Sequence, residues 1–202
     1  EAQRLREAAD VLSAALMDRV EPNPGSIEAA MVRVRKGHIP SAIRMMTNAR
    51  DLQPSHFGTS RATSELLLSQ GVFVKGLGNR SDGKEFMTRS REVMESYVTR
   101  VSDKGGAWAW LGLVCRTISE ESGDQAASDR AIEAYELAAK ADPHGPINLP
   151  PLVELLLKAG RPADARRWAK EGLNRQELTR LDPLAGLSEG QLTRLRDLAN
   201  AP

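Results

Sequence analysis

Few residues in this chain have the types and spacings that carry chemistry. The run Gly78-Asn79-Arg80-Ser81-Asp82-Gly83-Lys84 fits the opening of a phosphate-binding loop, G-x4-G-K. That chemistry needs a Ser or Thr next, whose hydroxyl holds magnesium, and a strand leading into the loop. Glu85 follows instead, and a carboxylate there repels phosphate. The preceding segment is helical in pattern, with only Val72-Phe73-Val74 extended in character. The run therefore reads as a flexible interhelical loop. The histidines His38, His56 and His144 lie far apart in predicted turns. None has a Cys, His or carboxylate at ligand spacing on a shared helix face, so no metal site is expected. Cys115, the single cysteine, excludes an internal disulfide. Beside Leu113 and Val114 in an apolar helical stretch, it reads as a buried, inert thiol. Asn79-Arg80-Ser81 matches a glycosylation sequon, which carries weight only behind a secretory leader. Neither a catalytic residue nor a cofactor is expected.

What must position these residues is a set of helices. The chain has 202 residues, 41% of them hydrophobic and only 4% aromatic, so its core is built from Ala, Leu, Val and Met. Such residues lose little freedom on a helical backbone. The 28 basic and 27 acidic residues nearly cancel, which argues against the concentrated basic face of a nucleic-acid binder. No apolar run approaches the roughly 20 residues that span a bilayer, and the opening residues show no signal-peptide pattern. It starts at Glu1, already inside a helical pattern, and reads as a piece of a longer polypeptide whose expected compartment is the cytoplasm.

A small-residue signature recurs at one period. Ala131, Tyr135 and Ala138 return as Ala165, Ala169 and Gly172, and Ala8, Leu12 and Ala15 return as Ala42, Met46 and Ala49, each 34 residues on. Periods in this range mark stacked helical repeats. Helices are predicted over 3–20, 27–36, 40–52, 60–74, 85–101, 107–121, 125–141, 149–159 and 162–173. Ser188 with Leu192, Leu195 and Leu198 predicts a last, capping helix. Ser90, Met94 and Tyr97 give a further copy of the signature. Ser90 stands 48 residues after Ala42 and 41 before Ala131, one period plus 14 and one period plus 7, insertions expected in interhelical loops. Small residues at a crossing let two helices approach at the short end of the roughly 8–10 Å axial range.

At this point the chain resembles the tetratricopeptide-repeat (TPR) family. The family's first-helix pattern W-x2-L-G stands as Trp108, Leu111 and Gly112, and its second-helix pattern as Ala131, Tyr135, Ala138 and Pro143. Ala42, Met46, Ala49 and Pro54 match without the aromatic. The last repeat lacks the Trp and the terminal proline, and Cys115 stands where a tyrosine is usual. The resemblance implies an all-α fold: an α-solenoid of antiparallel helix pairs wound as a right-handed superhelix, with a C-terminal capping helix. Its units fall at about 1–22, 23–55, 56–104, 105–145 and 146–182, with the cap at 187–200, in a single helical-repeat domain. Trp108 is then core and Trp168 packs in the last pair, while Trp110, on another helix face, either packs against the neighbouring pair, the favoured reading, or stands exposed in a binding surface.

The resemblance also implies a role: a non-enzymatic scaffold or adaptor that binds a protein or peptide partner through its concave face. That face would be lined by first helices, presenting Ile27, Met31, Val34 and Arg35, then Leu113 and Arg116, then Glu154, Leu157 and Lys158. An apolar strip with scattered positive charge suits an amphipathic or acidic peptide. The Lys and Asn set of the family's carboxylate-capturing groove is absent. The alternatives are an assembly segment of a larger complex or polypeptide and, against the charge balance, an RNA-binding repeat. No nucleic acid partner is expected, and self-association is open.

Overall fold

The computed structural model describes residues 27–101, 105–179 and 186–200; the predicted helix over 3–20, with Ala8, Leu12 and Ala15, lies outside them. The described residues form α-helices and no strand. The chain divides into two compact units, Glu1–Thr63 and Ser64–Pro202.

In the first unit, α1 (Ile27–Arg35) and α2 (Ile39–Leu52) form a hairpin. Gly37, at φ +77°, takes the left-handed turn between them. The His38 N–H donates back to the Arg33 carbonyl at 2.8 Å, closing the end of α1. Ala29 and Ala30 of α1 and Ala42, Ile43, Met46 and Ala49 of α2 are buried. The expected small–large–small seam is thus the inner face of α2. The next helix, α3 (Phe57–Gly76), starts in this unit. His56, exposed as predicted, has a role at its start: the Thr59 N–H donates to His56 Nδ1 at 3.2 Å.

In the second unit, α3 continues, followed by α4 (Arg80–Arg100), α5 (Gly105–Ser122), α6 (Gln125–Ala141), α7 (Leu149–Lys158), α8 (Pro162–Leu178) and α9 (Glu189–Ala199). Every signature residue in it is buried: Ser90, Met94 and Tyr97; Ala131, Tyr135 and Ala138; Ala165, Ala169 and Gly172. Asp124 caps α6 through the Ala127 N–H, and Ser188 opens α9 in a capping box with Gln191. As expected, α9 covers α8, with Leu195 against Gly172.

The structure corrects four expectations. The flexible loop at 75–84 is absent, because α3 runs to Gly76 and α4 begins at Arg80, with Asn79 capping the Asp82 N–H. Gly83 is buried within α4. A Cβ there would stand 2.8 Å from the Gly71 carbonyl oxygen, and one on Gly71 would stand 2.8 Å from that of Gly83. These glycines therefore admit two backbones to contact rather than breaking a helix. The insertions also fall elsewhere. Only residues 77–79 separate α3 from α4, and only 123–124 separate α5 from α6, so the additional residues lengthen helices. Seven residues make nearly two turns, leaving only about 20° of drift, so the buried faces keep their phase.

The third correction is the end of α8, which reaches Leu178, five residues past the predicted stop at Leu173. Arg175, buried in that extension, donates from Nη1 to the carbonyls of Ala139 at 3.0 Å and Asp142 at 2.8 Å. It closes the C-terminal end of α6, where carbonyls lack helical partners. The fourth is Trp108, which is half-buried rather than core. Arg130 lies over its ring at 5.6 Å and bonds both Glu95 oxygens, at 2.8 and 2.6 Å, tying α6 to α4. Trp168 is also half-buried, with its Nε1 sealed from solvent. Trp110 packs as predicted: its Nε1 donates to Ser64 Oγ at 3.1 Å, and Ser64 is joined to Ser90 Oγ at 2.9 Å. That buried network links α3, α4 and α5.

Candidate functional site

A cleft of about 640 Å³ opens in the second unit between α5, α7 and α9. Its floor is Tyr135 of α6, 3% exposed. The ring lies under Gly112, where a Cβ would come within 2.9 Å of it. The walls carry exposed apolar side chains: Leu113 of α5, Ile147 in the approach to α7, and Leu157 of α7, at 39, 52 and 39%. In water such groups are left unsatisfied by their own fold, and contiguous ones mark interaction sites.

Arg116, Glu154 and Arg194 at the cleft pair among themselves and with Glu120 and Lys158 beside it. Arg116 of α5 donates from Nε to Glu120 at 2.9 Å and from Nη2 to Glu154 of α7 at 3.0 Å. Arg194 of α9 reaches the other Glu154 oxygen at 3.2 Å, and Lys158 reaches Glu120 at 3.3 Å. Burial alone disfavours the Arg116 charge, but the Glu120 hydrogen bond and the two carboxylates outweigh it and hold the guanidinium more firmly charged. The hydrogen bond from Arg116 likewise holds the Glu120 carboxyl below its ordinary range, against partial burial. Desolvation pushes the Tyr135 hydroxyl up to about 12, opposed by Arg116. At neutral pH the floor is an uncharged phenol.

Of the residues expected on a binding face, Leu113, Arg116, Glu154 and Leu157 line this cleft, and Lys158 joins its charge ladder through Glu120. Ile27, Met31, Val34 and Arg35 belong to α1 in the first unit; Met31 and Arg35 are exposed, Ile27 and Val34 half-buried. Sequence reasoning missed the wall built by α9, including Arg194 and Leu198, and the rim made by Ile147, Pro150 and Pro151. The amphipathic run after Ser188 was the available signal, since a capping helix long enough to cover α8 also reaches the neighbouring helix. Cys115 is fully buried, and desolvation, with Glu95 adding to it, raises its thiol to about 12. Among the described residues, His, Cys, Asp and Glu form no cluster that could hold a metal ion, and no helix is long and apolar enough to cross a membrane.

Solved structures decide the fold class. A thermophilic TPR protein from Thermus thermophilus superposes with a TM-score of 0.61 over 99% of this chain and 93% of its own, at 17% identity. This chain has a tetratricopeptide-repeat fold. MamA from Desulfovibrio magneticus RS-1 is similar at a TM-score of 0.52, with 17% identity over 78% of this chain and 75% of its own. A double mutant of MamA RS-1 gives 0.56, with 15% identity over 81% and 80%. No protein-family profile and no curated protein matches the sequence.

Proposed function

We propose that this chain is a non-enzymatic protein-interaction scaffold that holds an apolar or amphipathic segment of a partner protein in the cleft between α5, α7 and α9. The observation that carries this reading is the set of exposed Leu113, Ile147 and Leu157 around the Tyr135 floor. Burying apolar surface contributes about 25 cal/mol per Å², so a few such side chains supply the driving force. Of the cations that suggested an acidic peptide, Arg116 and Lys158 at this cleft are already matched by Glu120 and Glu154, which favours an apolar ligand over an acidic one here. Affinity should therefore vary little with salt, because the cleft presents few unmatched charges to screen.

Selection of displayed random peptides on the full chain tests the assignment. Enriched peptides should be rich in Leu, Ile, Phe or Met, and Leu157→Asp should weaken them about tenfold or more, as loss of a central apolar contact does. Peptides that bind Leu157→Asp and Ile147→Asp as tightly as the unaltered chain would place the binding surface elsewhere.

A further inference from the structure

The G-x4-G-K run has no part in the cleft, yet the fold places its lysine in a recess of its own. Lys84 and Arg80 from the first turns of α4 meet Lys75 of α3 around a recess of about 430 Å³, completed by Met87, Glu121 and Ser122. Lys75 is fixed there: its Nζ bonds the Glu121 carboxylate at 2.6 Å and the Glu121 backbone carbonyl. Nearby Asp82 is engaged by Asn79 Nδ2 at 2.7 Å, and Glu85 does not line the recess. Among the described residues, Arg80 and Lys84 make no ion pair.

This arrangement works against the helix that carries it. Arg80 and Lys84 are like charges one turn apart, which destabilises a helix. Both also sit at the end where the backbone dipole favours anions. Glu121 matches only one of the three cations. We infer that the recess is an anion site for a phosphoryl-bearing ligand, with Arg80 and Lys84 supplying charge-assisted hydrogen bonds and Lys75 a fixed third cation. A dianionic phosphoryl group offers three strong acceptor oxygens, and the planar Arg80 guanidinium can engage two of them at once. The site is not a phosphate-binding loop, because Gly83 is helical and turned onto Gly71. It is also independent of the peptide cleft.

Titration calorimetry of the full chain with inorganic pyrophosphate, beside cosedimentation with phosphatidic acid vesicles, separates a soluble source from a lipid headgroup. Pyrophosphate binding that weakens about tenfold or more in the Arg80→Gln, Lys84→Gln double variant, as removal of two charged donors demands, supports the site. Vesicle binding alone, lost in the same variant, supports it with the headgroup as source. Both substitutions are at exposed positions and keep a good helix former, so circular dichroism should show an unchanged fold. Absence of binding in both arms, or equal binding by the double variant, overturns the assignment.

Discussion

The α3–α4 contact and the α5–α6 pair join helices by opposite means. Between α3 and α4, side chains are removed: Gly71 and Gly83 bring two backbones together under Met87, and the Ser64–Ser90 hydroxyl pair adds hydrogen bonds to the seam. Between α5 and α6, a side chain is enlarged: Tyr135 fills the space that Gly112 leaves. One contact gains close approach and satisfied hydrogen bonds, the other a large buried apolar area. The difference shows that the repeat signature specifies a volume to be shared across a seam, with either helix free to supply it.

The sharpest break of this comparison is Tyr135→Ala, which should cost about 3–5 kcal/mol, as large aromatic truncations in cores do. A urea melt showing a loss below about 1 kcal/mol would mean the ring is not what joins α5 to α6. Gly83→Ala comes next and turns on its sign. In an exposed helix the change stabilises by about 1 kcal/mol. Here the added methyl meets backbone, and overpacking of about 1–3 kcal/mol should exceed that gain and leave the variant less stable. A raised Tm would show that α3 and α4 do not touch at these glycines.

The smallest effect at neutral pH is an alkaline one confined to the α5–α6 pair. The Cys115 thiol rises from 9.0 to about 12 and the Tyr135 phenol from 10.0 to about 12, both through burial. In each case the folded state prefers the protonated form. Their contribution is therefore complete below pH 9.0 and declines as pH rises from there through about 12. Unfolding followed upward from neutral pH should show that decline, and Cys115→Ala should make it shallower. An equal slope in the variant would place the thiol outside the buried seam.

Much of this seam structure was legible in the residues. Ala131, Tyr135 and Ala138 predict a buried helix face because identity and spacing both act within one helix. Gly71 and Gly83 were opaque for the opposite reason. Gly83, beside Asp82 and near Asn79, reads locally as a breaker, Gly71 reads as a neutral residue inside a helix, and only the partner backbone, 12 residues away, reveals that the missing Cβ is a packing requirement. Arg175 was hidden in the same way, since its acceptors lie 36 and 33 residues earlier. For the cleft, Leu113, Arg116 and Leu157 were readable from the first-helix pattern. The α9 wall was not, because its place depends on how the capping helix crosses α8.

The lengthened helices have a consequence for descent. A segment that adds nearly two turns at a time leaves the interlocking stripes within about 20° of where they were, so in-frame insertions of that length are ones this fold can take up without unseating its joints. Walls and recesses can then be raised or deepened while the joints between neighbours stay as they were.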